Sequence, residues 1–207
     1  IGEGDTGPNT GGMGAVSPVV FADSSFMQKI EERIVKPTIA GLQKEGIDYK
    51  GFIFAGIMNV GGNPFVIEYN ARMGDPETQA VLLRIKSDFV ELLLAAGEGK
   101  LKGKSIEIDS HFAVTLALVS GGYPGEYQTG KVIHGLDHTS GAMVFHAGTS
   151  KHEEDVLTQG GRVLAISAKG NSLSEARNNA YKTASEISWD GIYFRKDVGL
   201  DLLNYKG

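Results

Sequence analysis

Cysteine is absent from all 207 residues, which excludes disulfides and thiolate chemistry and fits a reducing, cytoplasmic setting. Long apolar runs are also missing. The longest, such as VELLLAA at 90–96, fall far short of the roughly 20 residues that span a bilayer, so no membrane role is expected. Positive charge is not in excess either: the formal net charge is -5 and the pI about 5.6. Nucleic acids and anionic membranes select for clustered Lys and Arg, so neither is an expected partner. Ile1 is not an initiator Met, and no basic stretch with an apolar core follows it, so no targeting segment is visible and the start reads as cut.

What remains is a chain with 41% hydrophobic and 22% charged residues, enough for one sizeable core or two modest ones. Its 29 glycines cluster between apolar periodic segments and read as turns and ligand loops. Residues 1–18 (IGEGDTGPNTGGMGAVSP) have almost no apolar periodicity and read as a long structured loop. Phe26, Ile30 and Ile34 recur every four residues, which predicts an amphipathic helix from Asp23 or Ser24 to Glu45, interrupted at Pro37 and stopped at Gly46. GFIFAGIMNV (51–60), GGN and PFVIEYNAR (64–72) predict a β-hairpin. Asp75-Pro76 reads as N-cap and first helical residue, Asp88 with Glu91 as a second cap, and the two short helices end near Gly97. The Gly/Lys-rich GEGKLKGKS (97–105) marks a composition shift, giving two expected domains, 1–100 and 101–207. Beyond it come strand-like runs and a capping box, Ser172 with Glu175, that opens a helix.

The chemistry-bearing residues concentrate at the end of the second hairpin strand. Side chains alternate along a strand, so Glu68 and Asn70 share a face, about 7 Å apart by strand rise. A carboxylate and an amide oxygen are hard donors, and Mg²⁺ takes few protein ligands while keeping phosphate oxygens or water. A bare E-x-N would favour a Glu paired with Lys or Arg across a sheet; its surroundings tip the balance. Arg72, two positions on, offers a guanidinium fork for a transferred phosphoryl group, with a surface ion pair as the alternative. Asp75 either caps its helix or orients a substrate. The GDTGPNTGGMG segment presents backbone N–H groups and small hydroxyl side chains suited to a phosphate or a ribose, although it matches neither G-x-x-x-x-G-K-[ST] nor G-x-G-x-x-G. The five His residues lack H-E-x-x-H spacing and receive no metal or base role.

GDTGPNTGGMGA (4–15), GFIFAGIM (51–58), VIEYNARMGDPETQ (66–79), SGGYPGEYQTGKVIHGL (120–136), VFHAGT (144–149) and FRKDVG (194–199) together resemble one family. That family is the glycinamide ribonucleotide synthetases, the phosphoribosylamine-glycine ligases of the ATP-grasp superfamily. The resemblance implies an α+β fold: the C-terminal part of an ATP-grasp fold, an antiparallel sheet with helices, followed by a small α+β C-terminal domain. It implies ATP-dependent ligation of glycine to 5-phosphoribosylamine through glycyl phosphate, a step of purine biosynthesis that yields ADP and phosphate. Glu68 and Asn70 would hold Mg²⁺ or Mn²⁺ against ATP, while Arg72 and Asp75 would be catalytic. Asp5, Thr6, Pro8, Asn9, Thr10, Gly11 and Gly12 would bind substrate.

The family's N-terminal half and adenine lid are missing from these residues, so that half is an expected partner and the chain alone is expected to be inactive. FIFAGIM also lacks the acidic ligand that many ATP-grasp enzymes carry on the preceding strand, which makes the expected metal site lean. Another ATP-grasp carboxylate-amine ligase, or a non-catalytic half of a split protein, are the alternatives.

Overall fold

The structure, a computed structural model, describes residues 1–139 and 141–205. In chain order they form β1 (Gly14–Ser17), α1 (Ser24–Ile30), α2 (Lys36–Lys44), β2 (Phe54–Val60), β3 (Asn63–Asn70), α3 (Glu77–Leu82) and α4 (Phe89–Gly97). There follow β4 (Phe112–Ser120), β5 (Met143–His146), β6 (Thr149–His152), β7 (Asp155–Thr158), β8 (Arg162–Gly170), α5 (Leu173–Glu186), β9 (Ile192–Tyr193) and α6 (Leu200–Leu203). The expected α+β class holds. No helix among the described residues is long and apolar enough to cross a membrane.

The chain divides into two compact units whose limits differ from the 1–100 and 101–207 segments. One contains Ile1–Pro18, Asp75–Arg84 and Asp109–Asn204; the other contains Val19–Gly74, Ile85–Ile108 and Tyr205. The Gly/Lys-rich stretch stays with the second unit for a local reason. Lys104 pairs with Glu91 of α4, Lys86 N–H donates to Glu107 O at 2.9 Å, and Ile85 bridges Ile108.

The first unit is built on an antiparallel sheet of order β1-β4-β8-β5, with β9 pairing the end of β4. FAVTLALVS forms its central strand because β-branched and aliphatic residues occupy both faces, and every residue from Ala113 to Ser120 is buried. Val114, Leu116 and Leu118 pack with Leu164, Ile166 and the Leu173, Ala176, Ala180 and Ala184 stripe of α5. On the opposite face Thr115 and Ser167 share a buried 2.7 Å hydrogen bond, and Met13 packs against Ala117 and Val119. Helix α5 starts as its sequence predicts: Ser172 Oγ accepts from Glu175 N–H at 3.1 Å. The reciprocal bond is shifted by one residue, since Glu175 Oε2 accepts from Asn171 N–H at 2.8 Å.

The second unit contains the hairpin and its helix. Gly61 and Gly62 both have positive φ and turn Val60 onto Asn63. The strands are shorter than expected at both outer ends, Phe54 rather than 51 and Asn70 rather than 72. Asp23 caps α1 through Phe26 N–H at 2.7 Å, and the helix passes through a π-helical turn, Glu31–Val35, into α2. That wide turn sits where the Pro37 ring would otherwise strike the Arg33 carbonyl, so the chain stays helical across the predicted interruption. The helix runs beside the hairpin through Lys29–Gly62 O at 2.6 Å, Arg33–Asn63 Oδ1 at 3.0 Å and Thr38–Tyr69 OH at 2.9 Å. Asp88 caps α4 through Glu91 N–H at 3.0 Å, as its sequence predicts.

Candidate functional site

Two groups of expected site residues fall in different units, and each is described by itself. In the hairpin unit Glu68 and Asn70 are neighbours on one face of β3, with Asn70 Nδ2 donating to Glu68 Oε1 at 3.0 Å. Tyr69, alternating with them, turns instead to Thr38 of α2, so the Glu68 face is the one away from the helix. Gly56 lies directly across from Glu68 in the register. A Cβ there would come within 3.1 Å of Glu68 Cγ, so the missing side chain gives Glu68 its room. Sequence reasoning passed over Gly56; a glycine inside a β-run was the available signal. Alternation does not extend to Arg72, because β3 ends at Asn70. Arg72 lies in the bend beyond and donates from Nη1 to Met73 O at 3.0 Å.

Among the described residues no three or more His, Cys, Asp or Glu converge as a metal-binding group. Glu68 with Asn70 is a smaller donor set of two hard oxygen ligands. Its chemistry fits Mg²⁺ or Mn²⁺ that also takes phosphate oxygens, and would not suit a metal needing a full protein cage.

In the sheet unit Asp75 is not a helix cap. Pro76 occupies the N-cap position of α3 and makes no side-chain cap. The Asp75 carboxylate is engaged elsewhere: Oδ2 accepts from Arg162 Nη2 at 2.8 Å and Oδ1 from Gln79 Nε2 at 3.2 Å. Arg162, the first residue of β8, also donates from Nη1 to Asp75 O at 2.9 Å, Gly11 O at 2.8 Å and Gly12 O at 3.3 Å. One guanidinium therefore binds the Gly-rich loop to Asp75. Gly12 suits this junction twice over, with φ of +107° and a Cβ position only 2.6 Å from Pro76 Cδ. Arg162 opens the plain strand GRVLAISAKG, and nothing in its local sequence marks it.

Asp5, Pro8, Asn9, Thr10 and Gly12 line a cavity of about 370 Å³ together with Arg195. The other two expected residues spend their polar groups nearby: Thr6 Oγ1 donates to Glu3 O at 3.0 Å, and Gly11 N–H donates to the Tyr123 hydroxyl at 3.4 Å. Arg195 is a second residue that sequence reasoning did not assign. Its side chain is 18% exposed and forms ion pairs with Asp197 and Asp5. Hydrogen bonds to Asp197, and less so to Asp5, push its pKa above the usual guanidinium value. The Arg195 guanidinium in turn holds the Asp197 carboxyl well below the usual carboxylate range, with Gly4 N–H adding to the effect.

Comparison with known proteins places this arrangement in a family. Residues 1–78 match the model for "Phosphoribosylglycinamide synthetase, ATP-grasp (A) domain", and residues 113–201 match "Phosphoribosylglycinamide synthetase, C domain". The chain belongs to the phosphoribosylglycinamide synthetase family. Within that family it is 50% identical over 203 residues to phosphoribosylamine–glycine ligase of Escherichia coli strain K12, covering 96% of this chain and 47% of the relative. It is 49% identical over 196 residues to the ligase of Caldanaerobacter subterraneus subsp. tengcongensis, covering 95% and 47%. The crystal structure of phosphoribosylamine–glycine ligase from Thermotoga maritima superposes with a TM-score of 0.84 at 38% identity, over 94% of this chain and 48% of that one.

The biotin carboxylase domain of 2-oxoglutarate carboxylase from Hydrogenobacter thermophilus shares the fold alone, with a TM-score of 0.61 at 13% identity over 94% of this chain and 48% of that one. This agrees with an ATP-grasp α+β fold. The chain thus spans about half the length of the synthetase-family relatives it matches.

Proposed function

We propose that this chain supplies the C-terminal half of an ATP-dependent carboxylate-amine ligase that joins glycine to 5-phosphoribosylamine. The observation that carries the reading is the Arg162 clamp, which brings the Gly-rich loop and Asp75 to one place in a chain of this family. Residues 1–100 would be the C-terminal portion of the ATP-grasp domain and 101–207 the small C-terminal domain. The remaining half of the enzyme is the partner, and the setting is the cytoplasm.

In this reading a glycine carboxylate oxygen attacks the γ-phosphorus of ATP and ADP leaves, giving glycyl phosphate. The phosphoribosylamine nitrogen then attacks the glycyl carbonyl carbon, phosphate leaves with the C–O bonding pair, and the nitrogen loses a proton. Glu68 and Asn70 would hold Mg²⁺ or Mn²⁺, which neutralises charge on the polyphosphate. Arg72 offsets the charge of the transferred phosphoryl group. Asp75, kept in place by Arg162, orients a substrate, and Asp5, Pro8, Asn9, Thr10 and Gly12 form the acceptor pocket, with Thr6 and Gly11 beside it.

The test is ADP release in the full-length context, parent against Glu68→Gln. Release that requires both glycine and phosphoribosylamine and collapses in the variant supports the reading. Undiminished activity in the variant removes the metal assignment, and release indifferent to glycine points to another ATP-grasp substrate. A chain that binds a complementary N-terminal polypeptide but neither metal nor nucleotide would be the non-catalytic half of a split protein.

A further inference from the structure

The turn at Glu3–Asp5 is laced residue by residue to the segment 195–197. Glu3 Oε1 accepts from Lys196 N–H at 3.1 Å, Gly4 N–H donates to Asp197 Oδ2 at 2.8 Å, and Asp5 Oδ1 accepts from Arg195 Nη1 at 2.8 Å. Asp197 fixes the guanidinium from its other side, accepting from Nε at 2.7 Å and from Nη2 at 2.6 Å. This is the bidentate fork that Arg forms with carboxylates and Lys cannot. Asp5 itself sits at φ of +59°, a left-handed conformation that is uncommon for a residue with a Cβ, though easier for Asp than for most, and that an outside constraint helps to hold. The lacing supplies that constraint.

The constraint leaves Asp5 Oδ2 without a protein partner among the described residues, on a side chain that is 89% exposed. Each terminal nitrogen of Arg195 keeps one N–H beyond those used on Asp5 and Asp197. Asp5 and Arg195 both line the 370 Å³ cavity, and both also line a second cavity of about 350 Å³ on the β1 and α6 side. The exposed edge is therefore a carboxylate acceptor beside guanidinium donors. Its charge decides the ligand: two carboxylates around one guanidinium repel an anion, so a phosphate is the wrong partner. Hydroxyls that both donate and accept suit it, and two on adjacent carbons span a carboxylate and a guanidinium together.

We infer that Arg195 binds the sugar of the acceptor substrate and also holds Asp5 in place, so that the free Asp5 oxygen and the guanidinium edge together take a vicinal diol. The identity of that sugar rests on the proposed ligase reading; the preference for a diol does not. Titration of the 207-residue chain with ribose 5-phosphate and with 2-deoxyribose 5-phosphate, read by NMR at residues 3–5 and 195–197, separates the two. The expected result is about tenfold weaker binding of the deoxy sugar, with the preference lost in both Arg195→Lys and Asp5→Ala.

In the full-length context the same variants are expected to raise KM for phosphoribosylamine about tenfold, leave KM for ATP and glycine within about twofold, and change kcat little. Their double variant should be no worse than either alone. Equal binding of the two sugars by the parent, absence of binding, or a diol preference that survives Arg195→Lys would overturn the inference. So would a uniform loss across all three substrates together with a lowered Tm, which marks a merely structural role. A parent enzyme that ignores glycine would remove the ligase reading instead, while the sugar titration would still be decided.

Discussion

Replacing Arg162 by Met keeps the length and most of the volume of the side chain while removing every donor. Its ion pair with Asp75, 24% and 52% exposed on the two sides, contributes up to about 1 kcal/mol. Three carbonyl acceptors share the two hydrogens of Nη1, so those bonds are individually weak and together add about 1.5 kcal/mol. The sum of about 2.5 kcal/mol corresponds to a fall in Tm of roughly 5–10 °C for a chain of this size. The assay is a thermal melt by circular dichroism, paired with amide hydrogen exchange across residues 9–13. Exchange should rise there first, since the clamp holds the Gly11 and Gly12 carbonyls and only the longer 3.4 Å bond from Gly11 N–H to the Tyr123 hydroxyl backs it up at Gly11. Arg162→Lys retains the charge for Asp75 but not the fork, and should lose about half as much. A melt within about 1 °C of the parent, with unchanged exchange at residues 9–13, would refute the claim that Arg162 organises this loop.

Glu68→Gln should lower metal-dependent ADP formation at least about 100-fold in the full-length context, while Tm changes by under about 1 °C because the residue lies on an exposed strand face. Gly56→Val should produce a comparable loss of activity without replacing a proposed ligand, through the 3.1 Å approach to Glu68 Cγ; full activity would show that Glu68 has room to spare. Asp109, bonded by Lys169, His111 N–H and the His111 ring, has its carboxyl held well below the usual range. A depressed folded-state pKa gives stability that is present above the unfolded value of about 3.9 and lost as pH falls through the folded one. Asp109→Asn should therefore lower Tm at pH 7 and differ progressively less from the parent below about pH 4; a gap that persists at lower pH would break the argument.

The elements legible in the sequence are those with local causes. The Ser172 and Asp88 caps, the Gly-Gly turn and the largely apolar β4 each follow from a few consecutive residues. Strand alternation alone put Glu68 beside Asn70, and the structure keeps them hydrogen-bonded neighbours. The misreadings have different causes. Asp75 had the right spacing for a cap, but a guanidinium 87 positions away takes its carboxylate. Alternation was carried two residues too far, to Arg72, because nothing in the sequence marks where the pairing with β2 stops. The Gly/Lys-rich stretch suggested a junction from composition, and the two family models, 1–78 and 113–201, fall on either side of it, while by its contacts it stays with α4 through Lys104 and Glu91.

The Gly-rich loop shows most clearly why a site can be recognisable while its support is not. Few of its residues are buried and its only burial against the core is at Met13, so hydrophobic packing cannot fix its path. Two arginines do so from opposite ends: Arg162 holds the carbonyls of Gly11 and Gly12, and Arg195 with Asp197 holds Gly4 and Asp5. Both arginines lie in the segment that matches the family's C domain, whereas the loop lies in the segment that matches its ATP-grasp domain. In the structure all of them fall in the same compact unit. The C-terminal segment is thus not only a neighbour of the ATP-grasp portion. It supplies the charges that give a glycine-rich, nearly coreless segment a defined shape, a role that hydrogen exchange at residues 3–12 would read directly.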